Sequence, residues 1–196
     1  MGQGHEPPDI EDAVTQFLRA IEQDTHPETS KTPQRVATFW REHLLVGEQK
    51  KASLKVEGMP AESQDPVMLR EIDLHLVCPH HLTIGMGRGS LAYIPGTQWF
   101  GLGTLADILQ AATARCILQE QATRDAVDWA FDLLRPRAAY VQLSFLHPCH
   151  NAHYGADARA EVVTEAFRSQ DEAARDALSA MLQRVVQKPG TVSREP

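Results

Sequence analysis

Cys78-Pro79-His80-His81 and, about seventy residues later, His147-Pro148-Cys149 gather two thiols and three imidazoles into two short stretches of the chain. C-x2-H spacing suits a tight turn that aims both side chains at one ion, so Cys78 and His81 can share a metal, and Cys149 can close the site from a second strand. Zinc accepts this mixture of sulfur and nitrogen, and three protein ligands leave a fourth position for water, as in catalytic zinc sites. His80 and His147 would flank that water, which outlines hydrolytic chemistry. Spacing alone leaves a second reading open: C-x2-H arises often by chance, H-x-C carries little information, and buried cysteines are commonly inert core residues.

Composition narrows the setting. A chain of 196 residues is about one domain long. Its net charge of -7, without a long basic run, offers nucleic acid little attraction, so no nucleic-acid partner is expected. No apolar run approaches the roughly 18 residues of a membrane helix, so no membrane partner and a cytoplasmic setting are expected. Three cysteines read poorly as a disulfide framework, and Cys116 falls in a helical stretch where burial is the default.

The elements that must carry the two clusters follow from periodicity. Ile10–Glu22 and Pro33–Leu45 show helical spacing, with Thr32 as capping hydroxyl and Pro33 at the first helical position. Residues 47–65 read as loop. From Pro66 the period changes: Val67, Leu69, Ile72, Leu74 and Leu76 largely alternate with polar residues, a half-buried strand that delivers Cys78 at its end. Residues 83–94 form a second strand, and 104–134 read as one long helical stretch with Cys116 and Gln119 among its inward positions. Residues 137–146 form a third strand that runs into His147, residues 161–167 a fourth, and 171–186 a last helix. The predicted fold class is α+β: an antiparallel four-stranded sheet with helices packed on one face, preceded by an N-terminal helical segment. The expected organisation is a helical segment over residues 1–50 and a catalytic domain over 51–196.

In their order along the chain the motifs resemble GTP cyclohydrolase I, of the tunnelling-fold (T-fold) superfamily. Thr32-Pro33-Gln34-Arg35-Val36-Ala37 is similar to that family's T-P-x-R-V/I-A, and Cys78-Pro79-His80-His81-Leu82 to its C-E-H-H-L. Ala92-Tyr93-Ile94-Pro95, Gly101-Leu102, Gln119-Glu120 and His147-x-Cys149 match its A-Y-I-P, G-L-S-K, Q-E and H-x-C in turn. The resemblance implies Zn2+ on Cys78, His81 and Cys149, and proton transfer by His80 and His147. It also implies a purine pocket in which Glu120 accepts paired hydrogen bonds from the guanine edge, with Gln119 and Leu102 beside it and Arg35 on phosphate. It implies a homo-oligomer with active sites between subunits.

The departures from the family pattern are concentrated. Where the family has G-L-S-K this chain has Gly101-Leu102-Gly103-Thr104; Asp107 replaces an arginine, and His153 replaces another after H-x-C. Those cations bind triphosphate in the family, and a charge-assisted hydrogen bond is worth about 1.5–3 kcal/mol. The expectation is therefore a zinc hydrolase that opens the imidazole ring of a guanine-type purine, through water attack at C8, on a substrate lacking a triphosphate. The alternatives are a genuine GTP cyclohydrolase I making dihydroneopterin triphosphate and formate, and a non-catalytic zinc- or purine-binding homologue.

Overall fold

The structure, a computed structural model, describes residues 9–155 and 160–186. The chain divides after Val46 into two compact units.

In the first unit α1 (Ile10–Ala20) packs against α2 (Thr32–Phe39), which continues as a wider π-helical turn over Trp40–Leu44. Leu18, Ala37 and Leu44 are buried there. Pro33 lies in the first turn of α2, where a missing N–H costs nothing. Thr32 is not the cap, however: it is already helical, Lys31 precedes it, and no side chain caps the helix.

The second unit opens with α3 (Gly47–Ala52) and carries a four-stranded antiparallel sheet. Its strands, in spatial order, are β2 (Val67–Val77), β3 (Ile84–Ile94), β5 (Ala138–Leu146) and β6 (Glu161–Ser169). Alternation decides the buried face: Leu91 and Tyr93 of β3 and Val141, Leu143 and Phe145 of β5 are at most 1% exposed. The expected helical layer on this face is α4 (Leu102–Thr113) and α5 (Gln119–Leu134), which contribute Leu105, Ile108, Leu109 and Ala126 to the same core. The last helix, α7 (Glu172–Val186), seals a smaller cluster on the opposite face, where Ala174 and Leu178 meet Ala92, Ile94 and Tyr140.

Two parts of the second unit differ from the pattern reading. Within 47–65, α3 and the short β1 (Gly58–Pro60) are ordered, and β1 pairs with β4 (Gln98–Phe100). The Phe100 N–H donates to the buried Tyr93 hydroxyl at 3.1 Å, which ties this ribbon to β3. The helical stretch 104–134 is also broken, at 114–118. There the Val77 N–H donates to the Arg115 carbonyl at 2.9 Å and the Ile117 N–H donates to the Val77 carbonyl at 3.0 Å. A buried strand end needs partners for its backbone groups, and the broken helix supplies them. Cys116 sits in this bridge and is exposed, not an inward helical residue.

The start of α7 is held by charge. The Asp171 carboxylate accepts from the Ala174 N–H at 2.8 Å, as an N-cap does, and pairs with Arg137 through contacts of 2.9–3.2 Å. These bonds, the Arg137 pair foremost, hold its pKa below the usual carboxylate value. A depressed pKa stabilises the fold above the unfolded carboxylate pKa, and that contribution is lost as pH falls through the folded value. Asp171→Asn is therefore expected to lower the melting temperature at pH 7, with the difference from the parent protein shrinking in acid; thermal unfolding at pH 7 and pH 3 reads both.

Candidate metal and purine site

Val77, fixed by the 114–118 bridge, is the last residue of β2, and the chain then turns sharply. The Leu82 N–H donates to the Cys78 carbonyl at 2.8 Å and the Cys78 N–H to the Thr83 carbonyl at 2.9 Å, so residues 78–83 form a closed loop between β2 and β3. Leu82 has φ of 53°, a left-handed conformation that lets the loop re-enter β3. The loop turns Cys78 inward, where it is 7% exposed, and leaves His80 and His81 exposed with their rings edge to face at 6.2 Å.

The second cluster follows β5. His147 leaves the strand, and Pro148 begins a short helix, α6 (Pro148–Tyr154), whose first turn carries Cys149. Proline suits that position because its missing N–H would be unpaired in any first turn. Cys149 thus reaches the site from a helix after the strand, not from the strand itself.

The two clusters meet. One ligand atom from each of Cys78, His81 and Cys149 lies within 4.8 Å of the others, and the Cys78 sulfur is 3.9 Å from Nδ1 of His81. In a tetrahedral zinc site, bond lengths of about 2.0–2.3 Å put neighbouring ligand atoms roughly 3.5–3.8 Å apart, so a small inward movement closes this set on an ion. Thr83 and Asn151, near the ligands in sequence, each hold a buried side-chain oxygen with no partner among the described residues. An open cleft beside the ligands is walled by Thr83, His150, His153 and Tyr154, and the Tyr154 ring lies 4.7 Å from that of His150 and 5.1 Å from that of His153.

His147 and the Gln119-Glu120 pair are also joined. The break before α5 places Gln119 and Glu120 in its first turn. Gln119 is 3% exposed, and its Oε1 lies 2.9 Å from His147 Nε2. Burial lowers the His147 pKa; the charge of Glu120 opposes that shift and His150 adds to it. The ring is therefore biased toward its neutral form. Glu120 is exposed and within electrostatic reach of His147.

The remaining expected residues are placed as follows. Leu102 opens α4 and is 59% exposed. Arg35 lies on α2 in the first unit, exposed. Asp107 is exposed on α4, and Gly103 has open space where a side chain would stand. Thr83 and Asn151, and the pair Thr123 and Thr164, whose hydroxyls lie 2.6 Å apart, were not anticipated, because hydroxyls and amides have no diagnostic spacing.

Among the described residues no helix is long and apolar enough to cross a membrane. A family profile described as GTP cyclohydrolase I matches residues 10–186. GTP cyclohydrolase 1 of Leifsonia xyli subsp. xyli is 35% identical over 179 residues, covering 88% of this chain and 93% of that protein. GTP cyclohydrolase 1 of Deinococcus radiodurans is 33% identical over 145 residues, 73% of this chain and 67% of the relative. The corresponding protein of Bacillus pumilus is 32% identical over 172 residues, 85% and 90% of the two chains. Among solved structures, the archaeosine synthase QueF-Like in the apo form aligns at 19% identity with a TM-score of 0.47, over 57% of this chain and 100% of that one. Profile, relatives and the antiparallel sheet with its α4–α5 layer agree: the chain is a tunnelling-fold protein and belongs to the GTP cyclohydrolase I family.

Proposed function

We propose that this chain is a zinc-dependent cyclohydrolase that opens the imidazole ring of a guanine nucleotide at C8 and releases formate. The observation that carries the reading is the convergence of Cys78, His81 and Cys149 within 4.8 Å, from two distant stretches of sequence. Cys78, His81 and Cys149 would hold the zinc, which would supply a nucleophile at neutral pH by lowering the pKa of water to about 7. Glu120 accepts paired hydrogen bonds from the ring N1–H and the exocyclic amine, which orients the base. His147 exchanges a proton with the imidazole nitrogen as negative charge develops there, and His80, on the turn beside His81, relays a second proton. Leu102 completes the reading as a contact to the base.

The names of the relatives favour GTP itself over the substrate without triphosphate that the missing cations suggested. The replaced positions still bear on affinity, since Asp107 and His153 stand where the resemblance expects arginines. Each lost charge-assisted bond, at about 1.5–3 kcal/mol, weakens triphosphate binding roughly tenfold to a hundredfold. Formate release is therefore expected with GTP at a high KM, and Asp107→Arg combined with His153→Arg is expected to lower that KM at least tenfold. Steady-state assays on GTP, GMP and guanosine check this. Equal or better kcat/KM with guanosine would instead support the second reading, a ring-opening hydrolase for a purine with fewer phosphates.

Among the described residues, the outer edges of β2 and β6 have no partner strand. Exposed edges invite pairing with further strands, which supports a homo-oligomer joined edge to edge. Light scattering on the purified protein measures its size.

A further inference from the structure

Gln119 is the most connected polar side chain near the site, and the direction of every hydrogen bond around it can be worked out. Its Nε2 lies 3.1 Å from the Leu143 carbonyl, 2.8 Å from the Val162 carbonyl and 3.1 Å from the Thr164 hydroxyl. Carbonyl oxygens only accept, so the end of the amide facing β5 and β6 must be the NH2 group. The opposite order would press the amide oxygen against two other oxygens in a buried setting.

The hydroxyls are equally constrained. Thr123 is 2.8 Å from the Gln119 carbonyl and must donate its one hydrogen there. On that assignment it presents lone pairs to Thr164, 2.6 Å away, and Thr164 donates to it, while the two hydrogens of Gln119 Nε2 are shared among the Leu143 and Val162 carbonyls and the Thr164 hydroxyl. The network thereby points one way, and it leaves Oε1 of Gln119 facing Nε2 of His147 at 2.9 Å. An amide oxygen has no hydrogen to give. His147 must carry a hydrogen on Nε2, and the neutral ring must keep its lone pair on Nδ1.

We infer that Gln119 is a positioning residue that locks His147 in the Nε2–H tautomer, which makes Nδ1 the atom that exchanges a proton with the purine. This rests on the proposed role of His147 in proton transfer. The function of Gln119 is thus to set the histidine rather than to contact the base: its NH2 group is spent on the sheet and its oxygen on the ring. Thr164 comes from β6 and Thr123 from the second turn of α5, so the tautomer depends on the sheet being fully assembled.

The test uses the full-length, zinc-loaded protein labelled with 15N-histidine. The His147 spectrum is expected to show a protonated Nε2 and an unprotonated Nδ1 for the neutral ring. Gln119→Met, similar in length but without the amide, is expected to give mixed tautomers and a kcat at least tenfold lower, with KM and zinc content unchanged. A wild-type His147 protonated on Nδ1 overturns the inference, as does a folded Gln119→Met protein with an unchanged spectrum or unchanged kcat. If loss of the bonds to Leu143 and Val162 prevents that variant from folding, the wild-type spectrum alone decides. A zinc-loaded His147→Asn protein with full turnover overturns the catalytic consequence. Because the spectrum is read without substrate, that failure is distinguishable from a wrong tautomer.

Discussion

Cys149→Ala is expected to abolish formate release and to remove the bound zinc, while the protein stays folded. Among the described residues three protein ligands converge, so deleting one leaves a thiol and an imidazole that cannot enclose an ion against competition from water. The fold should tolerate the change, because Cys149 is partly exposed in the first turn of α6 and alanine is the best helix former. The cost falls on metal affinity, which for structural zinc is about 10–16 kcal/mol and so dwarfs the effect of any one hydrogen bond. Metal analysis, circular dichroism and a formate assay on one preparation separate the outcomes. Undiminished formate release from metal-free Cys149→Ala protein would defeat the zinc reading. Chelation of the parent enzyme should produce the same loss, and added zinc should reverse it.

Gly87→Ala is expected to prevent folding or to reduce stability by about 4 kcal/mol or more, at the extreme of single substitutions. Gly87 lies in β3 opposite Phe145 of β5. A Cβ there would run into the Ser144 carbonyl oxygen and come within 2.6 Å of Phe145 Cγ and 2.8 Å of its Cα. Two of these three atoms belong to backbone, so no rotamer change relieves the clash. β5 would have to move away from β3, taking with it Phe145, which is fully buried, and the strand end that leads to His147 and Cys149. Gly103→Ala is the matched control: nothing lies within 4 Å of its Cβ, it sits in α4, and the exchange should raise stability by roughly 0.5–1 kcal/mol. Thermal unfolding of the two variants checks both signs.

Much of the site was legible because its chemistry is local. Cys78 and His81 share one turn, and His147 and Cys149 another, so C-x2-H and H-x-C survive as readable spacing. The sheet was legible where alternation is clean, and even its irregularity left a trace. The apolar series changes from odd to even between Leu69 and Ile72, and there the β2–β3 register slips at a bulge. Features set by tertiary demand were not legible. Nothing in Ala114–Leu118 marks a helix end; the break answers the backbone of Val77, almost forty residues earlier. The three-residue strands β1 and β4 are too short to show a period. Gln119 reads as one more inward helical position, and the direction of its amide is fixed only when β5 and β6 arrive. α6 was missed because His-Pro-Cys-His looks like a turn, and its seven residues barely complete two helical turns.

The bridge between Val77 and the 114–118 segment has a kinetic side. Cys78 cannot take its place until Val77 is held, and Val77 is held only once α4 has docked and the chain has turned back toward α5. Cys149 must wait for β5 to pair with β3. The ligand set is thus completed by contacts far apart in sequence, which are the slow contacts of folding because long loops must close first. A metal that binds only the finished constellation cannot guide the early steps. It would act instead as a late clasp across a loop of about seventy residues, and it is expected to slow unfolding far more than it speeds folding.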